Sequence, residues 1–193
     1  MPNVSRAMGL RPVRKVTGGG YHGQAEQLAV LASDATALFV GDVVKSAGTA
    51  DANGVQAVTR VTANTDLPMG VIVGRIPDYT NLNNPGGYRA ASTAATLFVA
   101  VDPDVVFEIQ ANAATAVADI GLNVGLTFTA GSAVTGISGM QADMATKATT
   151  ATLPLKILGV VQRPDQDMAD SANWKLLVTL NTNNLSGNTA GTA

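Results

Sequence analysis

The strongest pattern along the chain is a period of two. In "GVQAVTRVT", residues 54–62, Val55, Ala57, Thr59 and Val61 fall on one face and Gln56, Val58, Arg60 and Thr62 on the other, the alternation of a half-buried strand. "MGVIVGRI", residues 69–76, is a nearly unbroken apolar run, which suits a strand covered on both faces. "ALFVGDVVKSAG" reads as a strand with a Gly-Asp kink, and the Asn53-Gly54 pair behind it marks a tight turn. "QAEQLAVLAS" fits a strand or one or two helical turns.

Further along, "TLFVAVDPDVVFEIQ" predicts a hairpin about Asp102-Pro103-Asp104. Residues 111–122 are Ala-rich and predict a short helix, and "LNVGLTFTAGSAVTG" returns to strand and turn. "TATLPLKILGVVQ" and "WKLLVTLN" are strands, with Pro154 marking an edge or a bulge and Trp174 a core anchor. "PDYTNLNNPGGYRAAST" and "RPDQDMADSAN" are loops. About nine or ten short strands spaced by Gly, Asn and Pro predict an all-β, compact β-barrel or β-sandwich, jelly-roll or β-tulip-like. No internal repeat is clear in the sequence.

The ends differ from the middle. Pro2 and Pro12 forbid a regular helix near the start, so residues 1–23 read as an extended N-terminal arm, with Gly18 to Gly20 as a hinge. Residues 24–182 form the body, and residues 183–193 a polar, flexible tail. Net charge is −2. Arg6, Arg11, Arg14 and Lys15 precede the first acid, Glu26, so the arm is basic and the body acidic. Such an arm suits docking onto an acidic protein surface. The global charge gives no attraction to nucleic acid. No run is long and apolar enough to span a membrane, and the start lacks a signal-peptide core, so synthesis in a cytoplasm without export is expected.

Composition sharpens this picture. Charged residues are 13% and aromatics 4%, while hydrophobics, with many Ala, reach 46%. A surface so poor in charge implies that much of it is covered by other protein, copies of itself included.

Candidate chemistry is sparse. Gly18, Gly20 and Gly23 match G-x-G-x-x-G, with Asp42 about 20 residues on, but "LRPVRKV" is no buried parallel strand and no strand-helix units follow. His22 is the sole histidine and lies in a flexible stretch, and Cys is absent, so suitable nucleophile and base pairs are missing. Asp102 with Asp104, and Asp165, Asp167 and Asp170, are carboxylate groups that read more simply as turns and solvated loops than as metal sites. No cofactor and no enzymatic activity are expected, a carboxylate-only hydrolase being the form hardest to dismiss.

"VSRAMGLRPVRK" at the start, "FEIQ" (107–110), "GLN" (121–123), "TGISGM" (135–140), "LKILGVVQRPD" (155–165) and the closing Trp174 strand together resemble the decoration, or cement, proteins of tailed bacteriophage heads. The resemblance covers about two-thirds of the chain, is weakest in residues 40 to 95, and rests on the order of structural segments. It implies a virion structural protein on the outer capsid surface, made in the host cytoplasm. Its partners would be the major capsid protein and itself, a homotrimer rather than a homodimer. Arg6, Arg11, Arg14 and Lys15 would then dock on the capsid, and the arm could add a strand to a capsid sheet edge. The alternatives are a tail or head-tail component, or a β-barrel module binding carbohydrate or host surface through "DYTNLNNPGGYR".

Overall fold

The structure, a computed structural model, describes residues 3–79 and 87–185. It is all-β, as the pattern predicts. Eleven strands form: β1 (Arg11–Lys15), β2 (Glu26–Val30), β3 (Val43–Ala50), β4 (Gln56–Arg60), β5 (Gly70–Arg75), β6 (Ala95–Ala100), β7 (Val105–Gln110), β8 (Asn123–Thr127), β9 (Gln141–Ala148), β10 (Leu155–Val160) and β11 (Lys175–Leu180).

The strands divide into two units. β2-β4-β3-β5-β6 close a five-stranded barrel. The other sheet runs β1-β7-β11-β10-β8-β9. A parallel bridge between Ala111 and Ala142 brings β9 back to the end of β7, so five of its strands also close, with β1 outside.

The two barrels share one topology. In the first, β2 pairs antiparallel with β6 and parallel with β4, β3 pairs with β4 and β5, and β5 with β6. In the second, β7 pairs antiparallel with β11 and, beyond its end, parallel with β9, β8 pairs with β9 and β10, and β10 with β11. The register agrees too. A bulge sits between Ile72 and Gly74 in β5 and between Ile157 and Gly159 in β10. Before β3 a turn closes from the Asp42 N–H to the Phe39 carbonyl (3.0 Å), with Gly41 at φ +94°. Before β8 the same turn closes from Leu122 to Asp119 (3.1 Å), with Gly121 at φ +94°. Both glycines then donate to matching strands: Gly41 to Ile72 (2.8 Å) and Gly121 to Ile157 (2.9 Å). Sequence traces agree: "ATA" precedes each turn, and "LFVA" in β6 stands where "LLVT" stands in β11. The chain is therefore an internal tandem repeat, against the sequence reading.

The core follows from this pairing. Leu28, Val30, Val44, Val58, Ile72, Leu97 and Val99 fill the first barrel. Val43, Val61, Val71 and Ala100 point out of it and join a second cluster built around Phe107, Ile109, Leu155, Leu176 and Trp174. That is why "MGVIVGRI" reads as buried on both faces: Val71 faces the second barrel while Ile72 faces the interior of the first.

Further expectations change. The Asp102-Pro103-Asp104 turn is not a hairpin; β6 and β7 go to different barrels, because each finds fuller pairing there. Residues 111–122 hold only a single 3-10 turn, Val117–Asp119. Pro154 sits just before β10, which is flanked on both sides, so it marks neither an edge nor the bulge. The segment 1–23 is not a free arm in its described part. Met8 and Leu10 are buried, Gly9 donates to the Met140 carbonyl (3.2 Å), Leu10 donates to the Gly41 carbonyl (2.9 Å), and β1 lies against β7. Gly18 to Gly20 are no hinge either: they close a turn back onto β1, with Lys15 donating to the Gly19 carbonyl at 2.7 Å. At the other end, Asn183 is buried, Asn184 donates to the Pro68 carbonyl (2.9 Å) and the Leu185 N–H donates to Asn183 (2.7 Å); residues 186–193 of the expected tail, and residues 80–86 of the loop proposed for glycan, lie outside the described residues.

Candidate docking groove

A groove of about 1220 Å³ opens between the N-terminal segment, the connection from β8 to β9, and the loop from β10 to β11. Backbone pairing fixes its walls. Asn3 holds the third wall in place: its side-chain amide donates to the carbonyls of Asp167, Asp170 and Ala172 (2.9–3.0 Å) and accepts from the Asp167 N–H (2.8 Å). Its own N–H donates to the Asp170 carboxylate (2.8 Å). This loop is the "RPDQDMADSAN" segment, whose acids are used as anchors and ion-pair partners.

Of the sequence-predicted docking residues, Arg6 and Arg11 line this groove and are exposed. Arg6 donates through its backbone N–H to Gln110 Oε1 (2.6 Å), which fixes where its side chain starts. Arg11 opens β1 and stands opposite Glu108 in the register. Among the described residues neither guanidinium has an ion pair or a hydrogen bond. Arg14 and Lys15 are not part of the groove. Lys15 is paired with Asp102 (2.8 Å), and Arg14 donates to the Lys15 carbonyl (3.3 Å).

Sequence reasoning missed two cations of the groove, Arg163 and Lys175. Arg163 grips Glu108 through both terminal nitrogens (2.6 and 3.0 Å), and this pairing raises its pKa against the opposing effect of burial. Lys175 pairs with Asp165, whose carboxyl it holds below the ordinary carboxylate value. These two cations are therefore neutralised within the wall, which leaves Arg6 and Arg11 as the uncompensated positive charge. The "RPD" run was visible, but its reach to Glu108 across 55 positions has no local signal.

His22 is exposed on a loop, and Asp42 of the glycine match is wholly buried, accepting from the Phe39 N–H (2.9 Å) and the Ser138 hydroxyl (2.5 Å) with Arg60 at 3.6 Å. Burial pushes the Asp42 pKa up in spite of these partners. The segment before the glycines is β1, antiparallel to β7, which no dinucleotide-binding turn uses. Among the described residues no three His, Cys, Asp or Glu side chains converge as a metal site. No protein-family model matches the chain, and no curated protein or solved structure does.

Proposed function

We propose that this protein is a non-enzymatic capsid decoration protein, which binds the outer surface of a phage head and clamps neighbouring capsomers of the expanded shell. The observation that carries the docking part is the pair of uncompensated arginines, Arg6 and Arg11, fixed over the groove by β1 and by Gln110. Cations on a segment already held in place lose little entropy on binding an acidic strand or loop of the major capsid protein. The resemblance in segment order supports the same reading. Stabilisation then follows from linkage: a ligand that binds the assembled shell at a hundred times its Kd adds about 2.7 kcal/mol per site. Repetition of the site over the shell multiplies that modest energy.

The test is binding to purified expanded capsids. Arg6→Glu with Arg11→Glu should weaken binding at least tenfold and reduce its salt dependence. Arg14→Glu with Lys15→Glu should weaken it far less, because those groups are engaged within the chain. Equal loss from both pairs, or none from the first, would refute the groove as the docking face. A copy number near that of the major capsid protein in particles separates a shell-wide role from a tail component.

A further inference from the structure

Asn53-Gly54 is the single Asn-Gly pair of the chain, and every other asparagine precedes a residue with a side chain. The pair forms the tip of the β3–β4 turn, where Ala52, Asn53 and Gly54 are all exposed. Asp51 builds that turn. Its Oδ1 accepts from the N–H groups of Asn53 and Val55 (both 2.8 Å). Its carbonyl accepts from the Gly54 N–H (3.1 Å), and its own N–H donates to the Val55 carbonyl (2.8 Å). Gly54 stands at φ +81°, and a Cβ there would meet nothing within 4 Å. The Asn53 carboxamide makes one long contact, from Nδ2 to Asp51 Oδ2 (3.4 Å). Other asparagines are held more firmly: Asn181 donates to the carbonyls of Ala151 and Leu153 (3.0 Å), and Asn112 bonds both Asp143 and the Met144 N–H (3.0 Å).

We propose that Asn53 is a site of spontaneous covalent modification, at which the Gly54 nitrogen closes on the Asn53 side chain and converts it to aspartate and isoaspartate. Asparagine is a thermolabile residue, and here its amide carbon and the next main-chain nitrogen meet at an open tip with no side chain on residue 54 to shield them. The Gly54 nitrogen gives up its proton to a base in solvent and attacks Cγ of Asn53. The N–Cγ bond forms, the Cγ–Nδ2 bond breaks, and ammonia leaves with the proton returned. Water then opens the succinimide ring. Addition at Cγ gives aspartate, and addition at the main-chain carbonyl gives isoaspartate. The balance is one water taken up and one ammonia released, with no oxidant or reductant. The Gly54 N–H must first leave the Asp51 carbonyl, and an exposed turn tip opens locally at low free energy. The product adds a negative charge beside Asp51. In the isoaspartate form the main chain gains one carbon between residues 53 and 54, so the Gly54-to-Asp51 bond and the Ala50–Gln56 register are lost. Ala57 and Val58 stay buried behind the turn, so the change ends at the tip. This goes beyond the docking reading and does not depend on it.

Trypsin releases Ser46–Arg60, a peptide whose sole asparagine is Asn53. The full chain is held folded in warm, mildly alkaline buffer, and a second sample is held unfolded in urea; both are then mapped by mass spectrometry. In the folded chain this peptide should convert to two acid products, the isoaspartate form in excess, within about tenfold of the rate in urea, because only one exposed hydrogen bond must open. The rate should rise with pH, and the peptides of the other described asparagines should stay unchanged over the same period. An isoaspartyl methyltransferase should label the main product. Asn53→Gln should stop the conversion, since the longer side chain closes a less favourable ring. Hydrogen exchange at Val55 should quicken in the converted fraction with an unchanged melting temperature. Three results would overturn the inference: an intact peptide in the folded chain while the unfolded chain converts, conversion no faster at Asn53 than at other asparagines, or aspartate alone with no isoaspartate. Each of these leaves capsid binding through Arg6 and Arg11 as a separate measurement.

Discussion

The internal repeat makes a controlled experiment possible on two equivalent glycines. Gly41 and Gly121 occupy the third position of matching turns, both at φ +94°. A side chain there costs about 1–2 kcal/mol from backbone sterics alone. Their surroundings differ. A Cβ on Gly121 would meet nothing within 4 Å, whereas one on Gly41 would lie 2.8 Å from the Met8 carbonyl oxygen, 3.2 Å from Gly9 Cα and 3.3 Å from Leu10 N. All three are backbone atoms of the segment that leads into β1, so no side chain can rotate away. Making room displaces Leu10, 1% exposed, or Met8, 7% exposed. Uncovering one such side chain adds roughly 1.5–3 kcal/mol. Gly121→Ala should therefore lower stability by about 1–2 kcal/mol and Gly41→Ala by about 2.5–5 kcal/mol. Equilibrium urea unfolding of the two variants measures both, and hydrogen exchange at Leu10 should quicken only in Gly41→Ala. Equal losses would show that the N-terminal segment is not seated on this turn, and the reading of β1 as an integral strand would fall with it.

Two other outcomes are expected. Arg89, 1% exposed, donates to the carbonyls of Leu31, Asp34, Thr36 and Thr93 at 2.5–2.8 Å, so Arg89→Met should cost about 3–5 kcal/mol in urea unfolding. Arg89→Lys should recover only part of it, since one ammonium cannot span four acceptors; full recovery would refute the network. The acid limb carries a second signature. Burial opposes ionisation of Asp119, but Lys147 (2.9 Å) and the Ala116 N–H outweigh it and hold its pKa below the ordinary value. A depressed carboxylate stabilises above its unfolded pKa and stops doing so as pH falls through the folded one. Asp119→Asn should thus be less stable than the parent at neutral pH and converge with it as pH falls through the lowered folded pKa of Asp119; a constant gap down the acid limb would place the effect elsewhere.

What was legible in the sequence was the strand periodicity, and its limits are physical. "GVQAVTRVT" gave β4 and "WKLLVTLN" gave β11, because apolar alternation and β-branched residues act locally. β9, "QADMATKA", passed unnoticed: its residues have little strand preference, and burial of Ala142 and Met144 holds it in place. The Asp102-Pro103-Asp104 turn was seen, with Asp102 accepting the Asp104 N–H (2.9 Å), yet turn chemistry states that the chain bends and not which sheet it enters next. The basic run was visible as charge. Its split into free Arg6 and Arg11 and engaged Arg14 and Lys15 depends on Asp102, 87 positions from Lys15, so no local pattern could show it. The repeat was hidden because it is carried by a glycine conformation, a bulge and a register, features that constrain few side chains.

The repeat also explains how a chain so poor in aromatics holds a fold. Each barrel spans under 80 residues, a size at which a core alone is marginal. The cluster of the first is aliphatic, with Leu, Val, Met and Ile and no aromatic ring. The second holds Phe107 and Trp174, and it takes in Val43, Val61, Val71, Ala100 and Leu10 from beyond its own strands. The outer face of the first barrel is thus an inner face of the whole, and the leading segment is stitched to both by Gly9 and Leu10. The first barrel borrows its outer packing from the second. A scaffold of this kind spends its buried apolar area on the join between repeats.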